Sequence, residues 1–168
     1  MERKRLFIGL ALFGLMAVAI AATTVQRVLV QAVASDGTDQ FRMSLQAIKI
    51  YMDDSGARLM GRGSFLLTRG TQQHRFQLHQ LTAMSIAELE EGGYHIMMQG
   101  IAQRTSTFFP NRTTRPERGT FRLVIFDQPA EDEASDTVEF YFVDNRGRFL
   151  NFSGEVTAGT LQVSTHSL

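Results

Sequence analysis

Cysteine and tryptophan are both absent from this 168-residue chain, and each absence closes off a class of explanation. Without cysteine there is no disulfide framework and no thiol chemistry, so a domain exported from the cytosol must hold by packing and ladder hydrogen bonds. Without tryptophan, and with only three tyrosines, the rings on which sugar faces usually stack are scarce. Lys4 and Lys49 are the only lysines, and 17 basic residues are balanced by 17 acidic ones. No net field draws this chain to nucleic acid. Nucleophile elbow, phosphate loop and zinc-type histidine pair are all missing. These absences point to a protein that is not an enzyme and needs no cofactor.

What is present begins at the first residues. Glu2, Arg3, Lys4 and Arg5 precede a run from Leu6 to Val25 without a charged side chain. A basic start, an apolar stretch and the small residues of Ala19, Ile20 and Ala21 have the form of a secretory signal cut after Ala21. The same run just reaches the roughly 20 residues needed to cross about 30 Å of hydrocarbon as a helix. Either fate leaves the basic cluster in the cytoplasm and the body outside it. The adopted organisation is residues 1–25 as membrane anchor or signal segment and residues 26–168 as one extracytoplasmic β-domain. Membrane contact is expected through residues 6–25, with secretion if the signal is cleaved.

The body alternates with a period of two. Phe41, Met43, Leu45 and Ala47 form one apolar set, and Ile48, Ile50 and Met52 continue on the opposite parity, as a β-bulge would produce. Asp53 to Gly56 make a turn. Leu59 to Thr68 reads as a strand in which Gly61 and Gly63 suggest a bend or close backbone approach. The run Leu81 to Leu89 fits a continuing strand, or a short helix with Ser85 and Glu88 as a capping box and Gly92 as C-cap; the strand is favoured. Gly92 and Gly93 suit a hairpin turn before Tyr94, Ile96 and Met98. Strands follow over Gly119 to Asp127, Thr137 to Val143 and Phe149 to Phe152, the last two joined by a hairpin at Asp144 to Gly147. Glu155 to Ser164 closes the series, with Gly154 and Gly159 at bulge positions. With Val25 to Ala34 this makes eight or nine strands, an all-β antiparallel sandwich or barrel.

Residues Gly119 to Val163 combine a strand ending in Asp127, an acidic loop, Asp136 opening the next strand and the Gly154 to Leu161 close. In this they resemble glycine-rich β-modules of uncharacterised bacterial cell-surface proteins. The resemblance implies an exported all-β module and carries no reaction, cofactor or functional residue with it.

The remaining candidates are surface features. His74 and His79 are five apart in a strand and point to opposite faces, whereas His79 and His95 could meet across a hairpin to hold a metal. Glu131, Asp132, Glu133 and Asp136, near Asp127, form an acidic group read as a solvated loop rather than a calcium site. The segment from Arg104 to Arg118 reads as a loop in which Arg104, Arg112, Arg115 and Arg118 surround Phe108, Phe109 and Pro110. Aromatic and arginine residues dominate interface hot spots, so Phe108, Phe109, Arg112, Arg115 and Arg118 are the expected partner-binding residues. The expected partner is a subunit of a larger membrane complex. Alternatives are packing of the rings under the domain, a lipid surface, or a secreted module that binds a glycan or cell-surface polymer.

Overall fold

The computed structural model describes residues 22–52, 56–109, 112–129 and 135–167. The proposed leader through Ala21, the acidic residues Glu131 to Glu133, Asp53 to Ser55, and Pro110 with Asn111 lie outside the described residues. The chain forms β1 (Ala22–Ser35), β2 (Asp39–Met52), β3 (Gly56–Arg69), β4 (Gln72–Glu88), β5 (Tyr94–Phe108), β6 (Arg112–Thr113), β7 (Glu117–Asp127), β8 (Thr137–Asp144) and β9 (Phe149–Ser167). Every pairing is antiparallel. β4 pairs with β5 and β9 with β1, so eight strands close into an up-and-down barrel, and the short β6 adds to β5. Of the expected sandwich or barrel, the fold is the barrel.

Alternation sets the inside. Phe41, Phe65, Phe76, Phe121, Phe140, Phe142 and Phe152 all point inward and are buried. Phe140 lies at their centre, with ring centroids 4.8 Å from Phe41, 5.2 Å from Phe65, 4.9 Å from Phe76 and 6.4 Å from Phe121. An eight-stranded barrel has an interior just wide enough for side chains to fill, and here rings fill it. Glycines make the room. A Cβ on Gly119 would lie 2.2 Å from the Val143 carbonyl oxygen and 2.5 Å from Phe142 Cζ; one on Gly100 would lie 2.2 Å from the Gln80 oxygen and 2.7 Å from Phe121. Strand-interior glycine thus marks close approach rather than weakness.

Several sequence expectations hold. The run from Leu81 continues as strand to Glu88, and Gly92 and Gly93 turn the chain with positive φ. Gly147 does the same in the β8–β9 hairpin. The close approach expected at Gly63 is to Ser44 and Leu45 of β2.

One expectation is corrected. β2 pairs with β3 in unbroken register and has no bulge at Ala47 and Ile48. Lys49 and Tyr51 instead take the inward positions, because Lys49 Nζ lies over the Tyr51 ring and donates to the Met84 carbonyl at 3.0 Å. Its charge is satisfied at the seam where β3 and β4 part, so Ile48 and Ile50 sit half-buried on the outer wall. The register shifts fall in β4, between Leu78 and Gln80 and between Leu81 and Ala83, and where β1 passes Val156 to Ala158 of β9. β1 begins at Ala22, with Thr24 already paired to both β2 and β9.

Replacing Phe140 by alanine removes the ring that touches four others and is expected to cost about 3–5 kcal/mol. Gly119→Ala is expected to cost about 1–3 kcal/mol by overpacking, although alanine normally suits a strand no worse than glycine. Urea unfolding followed by circular dichroism measures both; a neutral Gly119→Ala would contradict the close approach.

Candidate functional site

Because the strands simply alternate in direction, the β1–β2, β3–β4, β5–β7 and β8–β9 connections gather at one end of the barrel. Ala22 and the β4–β5 and β7–β8 connections lie at the other. The gathered end has two layers, a buried ionic layer across the barrel mouth and an exposed basic and aromatic ledge above it.

The buried layer starts at Arg104. It faces inward from β5, with its guanidinium 5.3 Å from the Phe142 ring centroid and its side chain 8% exposed. One of its terminal nitrogens, Nη2, pairs with Glu117 and, at 3.0 Å, with Asp144 Oδ2. Arg148 joins the same two carboxylates, to Asp144 through Nε at 2.8 Å and to Glu117 through Nη2. Asp144 Oδ1 also accepts the backbone N–H groups of Arg146 and Arg148 at 2.8 and 3.0 Å, which shapes the β8–β9 turn. Two cations and two anions alternate here, so charges this close to the core are mutually compensated. The Arg104 hydrogen bond comes first among the causes that hold the Glu117 carboxyl below its usual range. Burial works to raise the Asp144 carboxyl, but the two N–H donors and Arg148 outweigh it, and the net direction is down.

His74, Ser106 and Asp39 are also buried at this end. His74 Nδ1 lies 2.8 Å from Ser106 Oγ, and the imidazole ring meets the edge of Phe108 at 6.2 Å. Nε2 of His74 and Nε of Arg104 have no hydrogen-bond partner among the described residues. Burial, followed by the nearby Arg104 and Arg69 charges, pushes the imidazole pKa below its ordinary value of 6.5. Asp39 works the other way but is taken by Arg69, whose Nε lies 2.5 Å from Asp39 Oδ2.

The ledge is built from the β5–β7 connection. It is shorter than the sequence suggests. β5 continues to Phe108, Arg112 and Thr113 pair back onto it, and Thr114 donates to the Ser106 carbonyl at 2.8 Å while its Oγ1 accepts the Ser106 N–H at 3.0 Å. Arg104 is therefore removed from the expected loop: alternation turns it into the barrel mouth, where Glu117 and Asp144 compensate its charge. Phe108 is half-buried against His74. Phe109 is 62% exposed, with its N–H donating to Thr71 of the β3–β4 turn at 3.3 Å. Arg112, Arg115 and Arg118 are all exposed, and among the described residues none has a carboxylate partner. Glu117, the acid of this hairpin, is committed to the buried layer. The hairpin thereby sorts its charges, anion inward and cations outward.

A second exposed aromatic feature adjoins the ledge. Tyr141 and Phe149, 45% and 63% exposed, stack at 6.0 Å with an 18° interplanar angle. Arg122 stands directly opposite Tyr141 on β7, and Asn145 donates to the Arg118 carbonyl at 3.2 Å. Sequence reading missed this pair. The available signal was parity, since Tyr141 falls between inward Phe140 and Phe142 and so had to face out.

The histidines do not assemble a metal site. His79 falls within the β4 register shift, whereas His95 stands opposite Ala87 and stacks on Phe126 at 4.5 Å. The structure does not bring them together, because the β4–β5 hairpin sets them many pairs apart. Asp127 and Asp136 lie at the opposite end, where burial and then the Asp136 charge raise the Asp127 carboxyl. A cleft of about 30 Å³ bounded by Val30, Met43, Ile125, Val138 and Leu161 is on the scale of a single water. No family model matches the chain, and no curated protein or solved structure is detectably similar to it.

Because the folded imidazole pKa is lowered, the unfolded chain binds the His74 proton first, and stability falls as pH drops below about 6.5. His74→Gln is expected to flatten that slope between about pH 6.5 and 5. Glu117 and Asp144 contribute stability that is present above the ordinary carboxylate range and lost as pH falls through their lower folded values. Arg104→Met strands two carboxylates beside one remaining arginine and is expected to lower Tm by roughly 5–10 °C at pH 7. Thermal unfolding across pH tests all three; an unchanged profile in His74→Gln removes the histidine assignment.

Proposed function

We propose that this chain is a non-catalytic accessory module whose barrel stands on the extracytoplasmic side of a membrane and docks on a larger membrane protein complex, stabilising it. One observation carries the reading: Phe109 stands exposed near the tip of a hairpin that also displays Arg112, Arg115 and Arg118 along its length, while the hairpin's own anion is turned inward. An exposed apolar anchor on the same hairpin as arginines that have no carboxylate partner among the described residues suits an acidic, grooved protein surface. Phe108 and the Arg104 layer hold the ledge from beneath, so its shape is set before binding and less ordering is needed on contact.

The position of the ledge favours protein over lipid. β1 enters at Ala22 at one end of the barrel, and the ledge is at the other. A leader held in the bilayer would direct Phe109 away from the headgroups of its own membrane. The phenylalanine-filled interior also supports a role on the surface rather than as a carrier of a small ligand.

A secreted module binding a glycan or cell-surface polymer is the second reading. It is favoured by β1 starting at Ala22, directly after Ala19, Ile20 and Ala21, which leaves Leu6 to Ala21 shorter than the roughly 20 residues a spanning helix needs. The exposed Tyr141 and Phe149 pair offers the flat aromatic wall that such a polymer would use.

Under the docking reading, detergent extracts contain the untrimmed chain by intact mass, together with copurifying membrane proteins. A combined Phe109→Ser, Arg112→Glu, Arg115→Glu variant loses them while retaining the wild-type Tm. A chain beginning at Ala22 or Thr23, whose polymer binding is lost in Tyr141→Ser with Phe149→Ser and kept in the ledge variant, selects the second reading instead.

A further inference from the structure

The outer edge of β9, like the facing edges of β3 and β4 where that seam parts, lacks a strand partner over part of its length. From Phe149 to Gly154 the strand pairs with β8, at Glu155 it is handed from β8 to β1, and from Ala158 to Ser167 it pairs with β1 alone. Among the described residues nothing takes up its other edge. Backbone donors and acceptors in a row form a template for another strand, and proteins usually blunt such edges with lysine, proline or inward charge. This edge has none of those. After Glu155 the chain contains no lysine, arginine, aspartate, glutamate or proline, although charged residues are spread through the other strands.

The side chains show what kind of strand would fit. Thr160 and Gln162 point outward and are exposed, whereas Leu161 and Val163 point to the core side and pack against it while remaining half-exposed. The cleft bounded by Val30, Met43, Ile125, Val138, Val156 and Leu161 opens where β9 leaves β8. An added strand must therefore be antiparallel-compatible, uncharged, polar on one face, and apolar at two positions on the other.

We infer that the occupant is β9 of a second copy of this chain, paired antiparallel across a two-fold axis near Gln162. That axis sets Leu161 of each copy opposite Val163 of the other, Thr160 opposite Ser164, and Gln162 opposite itself. The apolar positions meet on the core side and the polar ones on the outer side, so the edge complements itself, as an isologous contact requires. The absence of charge matters most on the axis, where any charged residue meets its own copy and like charges directly opposite one another are unfavourable. This inference does not rest on the docking reading, since it uses a different surface and leaves Phe109 and its arginines free in both copies.

The full-length chain, extracted in mild detergent, provides the test. Gln162→Cys introduces the chain's first thiol, and oxidation is expected to yield a covalent dimer at least tenfold faster than Thr82→Cys, an exposed control on β4. Gln162→Lys is expected to leave the circular dichroism and Tm of the barrel unchanged but to shift the species from two copies to one in analytical ultracentrifugation. Mixing Gln162→Lys with Gln162→Glu is expected to restore the dimer. A wild-type chain that is monomeric at about 100 µM would overturn the inference. So would a dimer indifferent to Gln162→Lys, equal oxidation of the two cysteine variants, or an edge found occupied by a strand from a different protein.

Discussion

Filling the interior of a closed eight-stranded barrel is the constraint on which the rest of this structure depends. Closure of that number of strands fixes a narrow, tapering volume, and seven phenylalanine rings with Phe140 at their centre occupy it. Leucines or valines alone would leave the axis underfilled, whereas rings reach it from six of the eight barrel strands. Their size in turn dictates the glycines: Phe142 presses on Gly119 and Phe121 on Gly100, so large and small residues alternate around the wall. With the axis occupied by side chains, whatever this protein recognises has to be met by turns, outer walls or edges.

The ionic layer follows from the same geometry. A barrel filled with rings still ends, and at that end Phe142 would meet water unless something covered it. The Arg104 guanidinium lies over that ring, which suits a weakly hydrated planar cation, and Glu117, Asp144 and Arg148 compensate it. One consequence reaches the surface. Committing Glu117 to the mouth leaves Arg112, Arg115 and Arg118 without an acidic neighbour among the described residues, and a chain of zero net charge presents a basic ledge. The turns at the opposite end carry Glu88, Glu90, Glu91, Asp127 and Asp136. Overall neutrality therefore conceals a polarity along the barrel.

Much of this was legible in the residues. Alternation at Phe41 to Ala47 and at Phe121 to Ile125 marked inward faces correctly, and Gly92, Gly93 and Gly147 marked turns, because both signals are local consequences of strand geometry and of positive φ. The signals that failed were those whose meaning depends on a distant partner. Ile48 and Ile50 resemble a face switch until Lys49 is seen to find the Met84 carbonyl across the seam between β3 and β4. Arg104 resembles a loop cation until Asp144, forty residues later, is placed beside it. Of the candidate site, Phe109, Arg112, Arg115 and Arg118 are exposed as sequence reading placed them. Phe108 is half spent on His74, and the Tyr141 and Phe149 pair needed the barrel wall to bring β8 and β9 side by side.

The sequence by itself determined that this is an all-β chain of antiparallel strands without disulfides, because period-two alternation and turn glycines act within a few residues of one another. It also determined the uncharged run from Leu6 to Val25 and the absence of acidic and basic residues other than His166 after Glu155, which are matters of composition. Only the tertiary structure decided that the strands close as a barrel rather than stacking as two sheets, that the barrel is full, which arginines are buried and which displayed, and that the outer edge of β9 from Ala158 onward has no strand neighbour among the described residues. Each of these is set by which strand lies beside which, a long-range pairing that alternation permits in several arrangements and that packing of the phenylalanine rings resolves into one.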